Sequence, residues 1–376
     1  MDNFFVIHIN ENKYFQKALN ILLGKRYNNK ELLNLKRLII TFINLFKSNN
    51  HDLSYFKTIL FKIKFTFNLK EYYRNKYLLL LIINIYLYYE DELTKENALD
   101  FNDMINKSIK VLKQTKNIKK YKYIIVDEFQ DTSLIKFQIL QEIIKLTKAK
   151  FLAVGDDFQS IYRFTGCNLQ LFLNFKKYFT HSKTYHLVNT YRNPQELINV
   201  AGHFIMKNKK QQKKNLKSQK HLYKPVIIYY SNNRIQALKN ILKILNNNIM
   251  VLGRNNKDIY NYIDHTFTQD NDIFQFDNIK FRYLTIHKSK GLEEDNIILI
   301  NVLDNITGLP TKLKDEKILK YVNNTKDYYP FEEERRLFYV ALTRTKNKVY
   351  IISSYDKESI FTKEISKYKD VQIIKK

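Results

Sequence analysis

Two carboxylates stand side by side in VDEFQDTS (126–133), and the apolar run Tyr123-Ile124-Ile125 leads into them. The pattern reads as a buried strand that delivers Asp127 and Glu128 at its carboxyl end. In an open α/β sheet the carboxyl ends of the strands form the ligand crevice. There one carboxylate can hold a Mg²⁺ that bridges nucleotide phosphates, while its neighbour orients or deprotonates the attacking water. Taken alone, the pair fits a solvated acidic turn equally well, and its meaning depends on the residues further along the chain.

Four further blocks occur in order. The strand-like run Lys150 to Val154 ends in GDDFQSIYRFTGC (155–167), where Gly155 permits a tight turn and Gln159 carries an amide suited to sensing a γ-phosphate. Tyr162 and Phe164 alternate outward in the same loop. Exposed aromatic faces stack single-stranded bases for about 1–3 kcal/mol each; packing into a core is the competing reading, and it is the stronger one for Tyr162. Next, LVNTYRNPQEL (187–197) sets Tyr191 beside Arg192, and Pro194 ends the extended segment and starts a helix. The fourth block, YLTIHKSKGLEEDNIILIN (283–301), reads as strand, polar loop and strand. Its Thr285 hydroxyl, His287 imidazole and backbone N–H groups at a helix start suit phosphodiester contact. No His or Cys lies at ligand spacing from His287, which makes it a neutral hydrogen-bond donor, not a metal ligand. The last block, EEERRLFYVALTRTKNKVYIIS (332–353), is a helix running into a strand. Leu337, Val340, Ala341 and Arg344 share one helical face, and an arginine leaning to the packing side near a helix end is wasteful unless it meets an anion. Arg335 and Arg336 are expected to pair with Glu332 to Glu334.

Together the five blocks resemble motifs II to VI of the UvrD/Rep family of superfamily 1 DNA helicases. The IYRF, TYR and TIHKSKG strings and the short tail look most like its helicase IV branch. The resemblance is dense from Leu99 onward, with ALDFNDMI (98–105) included, and thin before it. It implies ATP and Mg²⁺ as cofactors, Asp127 as the metal residue, and Glu128, Gln159, Arg192 and Arg344 as the catalytic set. Arg192 and Arg344 would then reach the γ-phosphate, and such fingers are typically worth about 10³ to 10⁵ in rate. Nucleotide contacts would come from Tyr191 on the adenine, Glu293 on the ribose, and Gly291. Tyr162, Phe164, Thr285 and His287 would meet DNA. The family mechanism implied is ATP held between two RecA-like domains whose opening and closing ratchets single-stranded DNA with 3′ to 5′ polarity. Phe164 stands where many relatives carry tryptophan, Thr190 where many carry asparagine, and Asn193 where many carry serine.

One expected element is not in the string. A P-loop needs G-x-x-x-x-G-K-[ST], so that closely spaced backbone N–H groups cradle the phosphates. The chain has seven glycines, and its one Gly-Lys pair, Gly24-Lys25, has Leu19 in place of the first glycine and Arg26 in place of the hydroxyl. Two readings of a different kind therefore stand beside the helicase: one half of a split enzyme whose P-loop comes on a separate polypeptide, or an inactive DNA-binding relic. A relic should scatter its losses, whereas Asp127, Glu128, Gln159, Arg192 and Arg344 are all in place.

Composition sets wider limits. The chain has 376 residues, enough for two or three cored domains, and its single cysteine, Cys167, excludes a disulfide framework and a cysteine zinc site. A net charge of +27 draws phosphate backbones, although about half of the excess matches the Lys-, Asn-, Ile- and Tyr-rich usage of A+T-rich coding. The basic run KNKKQQKKNLKSQK (207–220) reads as a solvated helix end and loop. The longest apolar run, Tyr77 to Tyr89, is too short for a membrane span. MDNFFVIHINENKYF at the amino terminus lacks the layout of a signal peptide. The expected setting is cytoplasmic, on nucleoid, plasmid or viral DNA, with single strands and junctions as partners and no membrane.

The elements that must position these residues divide in three. Apolar spacing such as Leu33, Leu35, Leu38, Phe42 and Leu45 predicts helices over 1–98, and IITFINLFKSNN (39–50) resembles the family's 1B insertion. The alternation over 99–185 predicts the remainder of a first RecA-like domain. Strands near 226–230, 249–252, 282–286, 297–302 and 349–353 predict a second over 186–376. The fold class expected is α/β, with two RecA-like P-loop-NTPase-type domains, the first incomplete. Positions 257–282 leave no room for a large 2B insertion.

Overall fold

The computed structural model describes residues 13–24, 26–64, 68–115, 118–245, 248–323 and 329–376. Lys25 of the Gly-Lys pair and the first twelve positions of the amino-terminal segment lie outside them. The chain forms two compact units: Met1–Gly155 with Tyr162–Phe172 and Asp315–Thr325, and Asp156–Ile161 with Leu173–Lys314 and Lys326–Lys376.

In the first unit, helices α1 (Lys13–Leu23), α2 (Asn29–Ser48), α3 (Ser54–Lys64) and α4 (Leu69–Lys95) enclose an aliphatic and aromatic core. Helix α2 starts at a reciprocal capping box, in which Asn28 accepts from the Glu31 N–H and Glu31 returns to the Asn28 N–H. Its buried stripe is Leu35, Ile39, Phe42, Ile43, Leu45 and Phe46, so Leu35, Phe42 and Leu45 of the predicted spacing are buried, Leu38 is half-buried and Leu33 is exposed. The buried Lys47 of α2 binds Glu90 of α4 at 2.6 Å and reaches Asp100 and Asp103 at 2.7 Å. The last two belong to ALDFNDMI, which opens α5 (Phe101–Gln114), so one cation ties three helices together.

Strands β1 (Tyr123–Val126) and β2 (Lys150–Ala153) pair in parallel, joined by α6 (Leu134–Thr147). The expectation of a buried strand is corrected here. Alternate residues of the pair face solvent, with Tyr123 65%, Ile125 67% and Leu152 53% exposed, because among the described residues no further strand pairs with this sheet and its outer face is uncovered.

The second unit is built on an eight-stranded sheet whose order is Val371–Lys375 (β10), Val226–Tyr230 (β3), Thr345–Ser353 (β9), Glu294–Leu299 (β8), Ile249–Gly253 (β4), Ile279–Thr285 (β7), Ile273–Phe276 (β6) and Phe267–Asp270 (β5). Strands β3 (Val226–Tyr230), β4 (Ile249–Gly253), β7 (Ile279–Thr285), β8 (Glu294–Leu299) and β9 (Thr345–Ser353) match the predicted set, and all of them run parallel. The hairpin of β5 (Phe267–Asp270) and β6 (Ile273–Phe276) is antiparallel, while the edge strand β10 (Val371–Lys375) pairs in parallel with β3. Helices α7 (Gln195–Ile205), α8 (Arg234–Leu245), α9 (Glu332–Leu342) and α10 (Ile360–Ile365) belong to this unit, and α9 is buried along almost its whole length. The mixed α/β class with a largely parallel sheet is the one expected.

Candidate active site

The acidic pair lies just past β1 in the first unit, with both residues exposed. The Glu128 backbone is in the left-handed region at φ 49°, and its N–H donates to Asp127 Oδ1 at 2.8 Å. The fully buried Gln130 donates its amide to Glu128 Oε2 and so holds that carboxylate in one direction. Gly155 sits beside Gln130 for a reason other than the predicted tight turn. Its φ is not in the positive range, but a Cβ would overlap Gln130 Oε1 and lie 2.9 Å from the Phe172 ring. The glycine is required by close approach. Exposed carboxylate oxygens suit Mg²⁺, which keeps several waters and takes one or two protein carboxylates alongside substrate phosphates. Among the described residues no group of three or more His, Cys, Asp or Glu side chains gathers as a protein-only metal cage.

Also in the first unit, Phe164 is 54% exposed, whereas Tyr162 is half-buried against it with ring centroids 6.1 Å apart in an edge arrangement. Arg163 pairs with Asp315 at 3.5 Å.

The second unit brings the other blocks together around a cleft of about 600 Å³ lined by Asp156, Gln159, Thr190, Tyr191, Arg192, Glu293, Tyr339, Arg344 and Lys346, among others. Arg344 lies beyond the end of α9, in the link to β9, and not within the helix as its spacing suggested. It folds back and is only 1% exposed. Its Nε donates to the Val340 carbonyl at 3.1 Å, Nη1 to that of Leu292 at 3.3 Å, and Nη2 to Gln159 Oε1 at 3.2 Å. Gln159 in turn donates Nε2 to Asp156 Oδ2 at 2.8 Å. The site thus contains a buried arginine whose one side-chain acceptor among these contacts is the amide of the second block.

Arg192 pairs with Glu293 at 2.5 Å, and Lys346 stands 3.2 Å from the same carboxylate. Hydrogen bonds from Arg192 first, then Lys346, hold the Glu293 carboxyl below its ordinary range. Tyr191 projects into solvent, 86% exposed. Asn193 is buried and donates to the carbonyls of Thr343 and Thr345 at 3.2 and 2.7 Å, which locks the Tyr191-Arg192 segment onto the α9–β9 link.

The fourth block closes with a turn where a helix start was expected, because Gly291 at φ +84° reverses the chain before β8. Thr285 ends β7, is buried, and accepts the Lys288 N–H at 3.3 Å. His287 is held down to about pH 4 for protonation, by burial first and by the nearby Arg254 second. It is therefore neutral at pH 7, as expected.

Two further expectations are revised. Arg336 pairs with Glu332 at 3.0 Å, but Arg335 reaches Glu364 of α10 at 2.6 Å, and Glu334 binds Arg254 at 3.0 Å. Helix α9 is buried, so its neighbours on other elements outcompete its own carboxylates. The basic run 207–220 is only partly solvated: the half-buried Lys214 lies against Asp156 and Asp157, and Lys220 Nζ donates to the Lys346 carbonyl at 2.7 Å. Gln130, Asp156 and Lys214 are the site-supporting residues that sequence reasoning missed. The first two stand in strings already singled out, VDEFQD and GDD, whereas no local signal marks Lys214.

Two stretches of the chain match known protein families. Residues 6–180 match the UvrD/REP helicase N-terminal domain, and residues 264–356 match the UvrD-like helicase C-terminal domain. The chain is 31% identical over 288 residues to DNA helicase IV of Escherichia coli K12, covering 76% of this chain and 41% of that protein. It is 28% identical over 307 residues to a probable DNA helicase of Mycoplasma pneumoniae, covering 74% and 54%. To the ATP-dependent DNA helicase srs2 of Schizosaccharomyces pombe it is 27% identical over 305 residues, covering 76% and 33%. The chain spans about half or less of the length of these relatives. With a match to both the N-terminal and the C-terminal helicase domain, the chain belongs to the UvrD-like family of DNA helicases.

Proposed function

We propose that the chain is the motif II to VI part of an ATP-dependent translocase that moves 3′ to 5′ on single-stranded DNA and unwinds duplexes and junctions in repair, recombination or replication. The observation that carries this reading is the gathering of Gln159, Arg192, Glu293 and Arg344 around one cleft. Donors fixed in advance around a buried site stabilise a transferring γ-phosphoryl most, since they need no reorganisation during the reaction. Asp127 would hold Mg²⁺, which when bound neutralises phosphate charge. Glu128 would orient the hydrolytic water, its carboxylate aimed by Gln130. Tyr191 would stack on the adenine, and Glu293, with the Gly291 turn, would take the ribose side. Phe164, with Tyr162 behind it, would stack bases, and the Thr285–His287 turn would face the phosphodiester backbone. In domain terms, 1–98 is a 1B-like helical region, 99–185 belongs to a first RecA-like domain, and 186–376 is a second.

These 376 residues contain no G-x-x-x-x-G-K-[ST], and the β1–β2 sheet exposes Tyr123, Ile125 and Leu152 on one face. A strand–P-loop–helix segment, joined to this chain or on a separate polypeptide, would cover that face and supply the phosphate cradle. Among the described residues no helix is long and apolar enough to cross a membrane; a cytoplasmic, DNA-associated setting fits the reading. Strand displacement with ATP and Mg²⁺, on duplexes carrying a 3′ or a 5′ single-stranded tail, tests it. The chain supplemented with a family P-loop segment should open the 3′-tailed duplex only. Opening of the 5′-tailed duplex would overturn the polarity, and failure on both would overturn the helicase reading.

A further inference from the structure

Gln159 is useful to a phosphate only if its amide faces a defined way, and an amide can be turned over with little change of shape. Here two neighbours remove the ambiguity. Asp156 is a carboxylate and can only accept, so it takes the amide N–H₂ at 2.8 Å. Arg344 is a guanidinium and can only donate, so it takes the amide oxygen at 3.2 Å. Reversing the amide would set donor against donor and acceptor against acceptor. Asp156 is itself fixed by its own turn, accepting the Phe158 N–H at 3.0 Å, and by the Lys214 ammonium. Lys214 also reaches Asp157 at 2.5 Å and lies 4.1 Å from the centre of the Phe158 ring. Asp157, fully buried, is held a second time by the Gln212 N–H at 3.0 Å. Lys214 and Gln212 come from the basic run between α7 and β3, remote in sequence from the loop they clamp. This whole assembly lies within the second unit.

We infer that Lys214 is a positioning residue: by neutralising and fixing Asp156 it sets the direction of the Gln159 amide and thereby the acceptor that Arg344 meets. The inference rests on the proposed ATPase reading for its purpose, but its geometry can be tested without ATP. The Gln159 side-chain ¹⁵NH₂ resonance, identified by its loss in Gln159→Leu, reports the amide directly. In the intact chain it should exchange slowly with solvent. Lys214→Met keeps the stem over Phe158 and removes the charge. It should speed that exchange about tenfold, the equivalent of one charge-assisted hydrogen bond, with Lys214→Arg restoring most of the protection. If Lys214→Met does not fold, Asp156→Ala, which removes the acceptor from a partly exposed turn, should produce the same acceleration. In the chain supplemented with a P-loop segment, Lys214→Met should lower kcat for ATP hydrolysis and leave KM unchanged. Unchanged exchange in folded Lys214→Met, or in Asp156→Ala where Lys214→Met does not fold, would overturn the inference and reduce Lys214 to a structural cation. An absence of ATP turnover in every form would overturn only the ATPase reading, since the exchange measurement still decides the geometry.

Discussion

Replacing Gly155 with alanine should destabilise the first unit, although the substitution adds a single methyl. The Gly155 φ lies outside the left-handed range, so alanine can adopt this backbone, and the cost is steric. The new Cβ would overlap Gln130 Oε1, stand 2.9 Å from Phe172 Cε2 and 3.2 Å from the Phe129 backbone nitrogen. None of these can yield freely. Gln130 is fully buried and bound to Glu128, the Phe129 N–H donates to the Val154 carbonyl at 2.9 Å, and the Phe172 ring packs on Phe129 with centroids 6.5 Å apart. Overpacking of this kind costs about 1–3 kcal/mol. The stiffer unfolded chain returns about 0.4–1 kcal/mol. The net loss spans about 0–2.6 kcal/mol with a midpoint of about 1.3, which corresponds to about 3–5 °C in the melting of a unit of this size. Scanning calorimetry of Gly155→Ala beside Gly202→Ala gives the assay its control. In α7 the Cβ of residue 202 would meet Met206 Cε at an ordinary 3.5 Å, so that variant should gain about 0.4–1 kcal/mol. Equal or higher melting for Gly155→Ala would refute the close-packing explanation of this glycine.

The same contacts predict other outcomes. Arg192→Ala breaks a partly exposed pair with Glu293 and should cost no more than about 1 kcal/mol of stability by calorimetry, while abolishing ATP turnover in the chain supplemented with a P-loop segment. Unfolded His287 binds a proton near pH 6.5 and folded His287 only near 4, so the unfolded state gains protons first as pH falls. Its contribution is complete above pH 6.5 and is lost progressively towards pH 4; the slope in urea titrations over that window should flatten in His287→Gln. Ile125→Lys changes a residue 67% exposed and should shift the stability of this chain by less than about 0.5 kcal/mol. In a pull-down it should nevertheless block association with a P-loop segment.

The second unit was largely legible because β3 and β4 are buried on both faces and appear as the apolar runs Val226–Tyr230 and Ile249–Gly253. The β5–β6 hairpin is hard to read because each strand has only four residues and β5, Phe-Thr-Gln-Asp, is mostly polar, although Asp270-Asn271-Asp272, with Asn271 in the left-handed region, is a turn signal between them. The five site blocks were visible because each is a local string. What supports them was not, since it depends on contacts between distant segments: Lys214 on Asp156, Asn193 on the Thr343 and Thr345 carbonyls, and Glu364 drawing Arg335 away from its helix neighbours. The burial of β1 was misjudged for a related reason. An apolar strand states that it needs a cover, but not that the cover lies among these residues.

ATP turnover with and without single-stranded DNA, in the chain alone, in the chain supplemented with a family P-loop segment, and in the Glu128→Gln form of each, is the most direct measurement. The expected result is no turnover by the chain alone above its Glu128→Gln control, and DNA-stimulated turnover in the supplemented form that Glu128→Gln abolishes. DNA-stimulated, Glu128-dependent turnover by these 376 residues alone would contradict the need for a P-loop segment. Turnover that ignores Glu128→Gln, or none in the supplemented form, would contradict the assignment of the site itself.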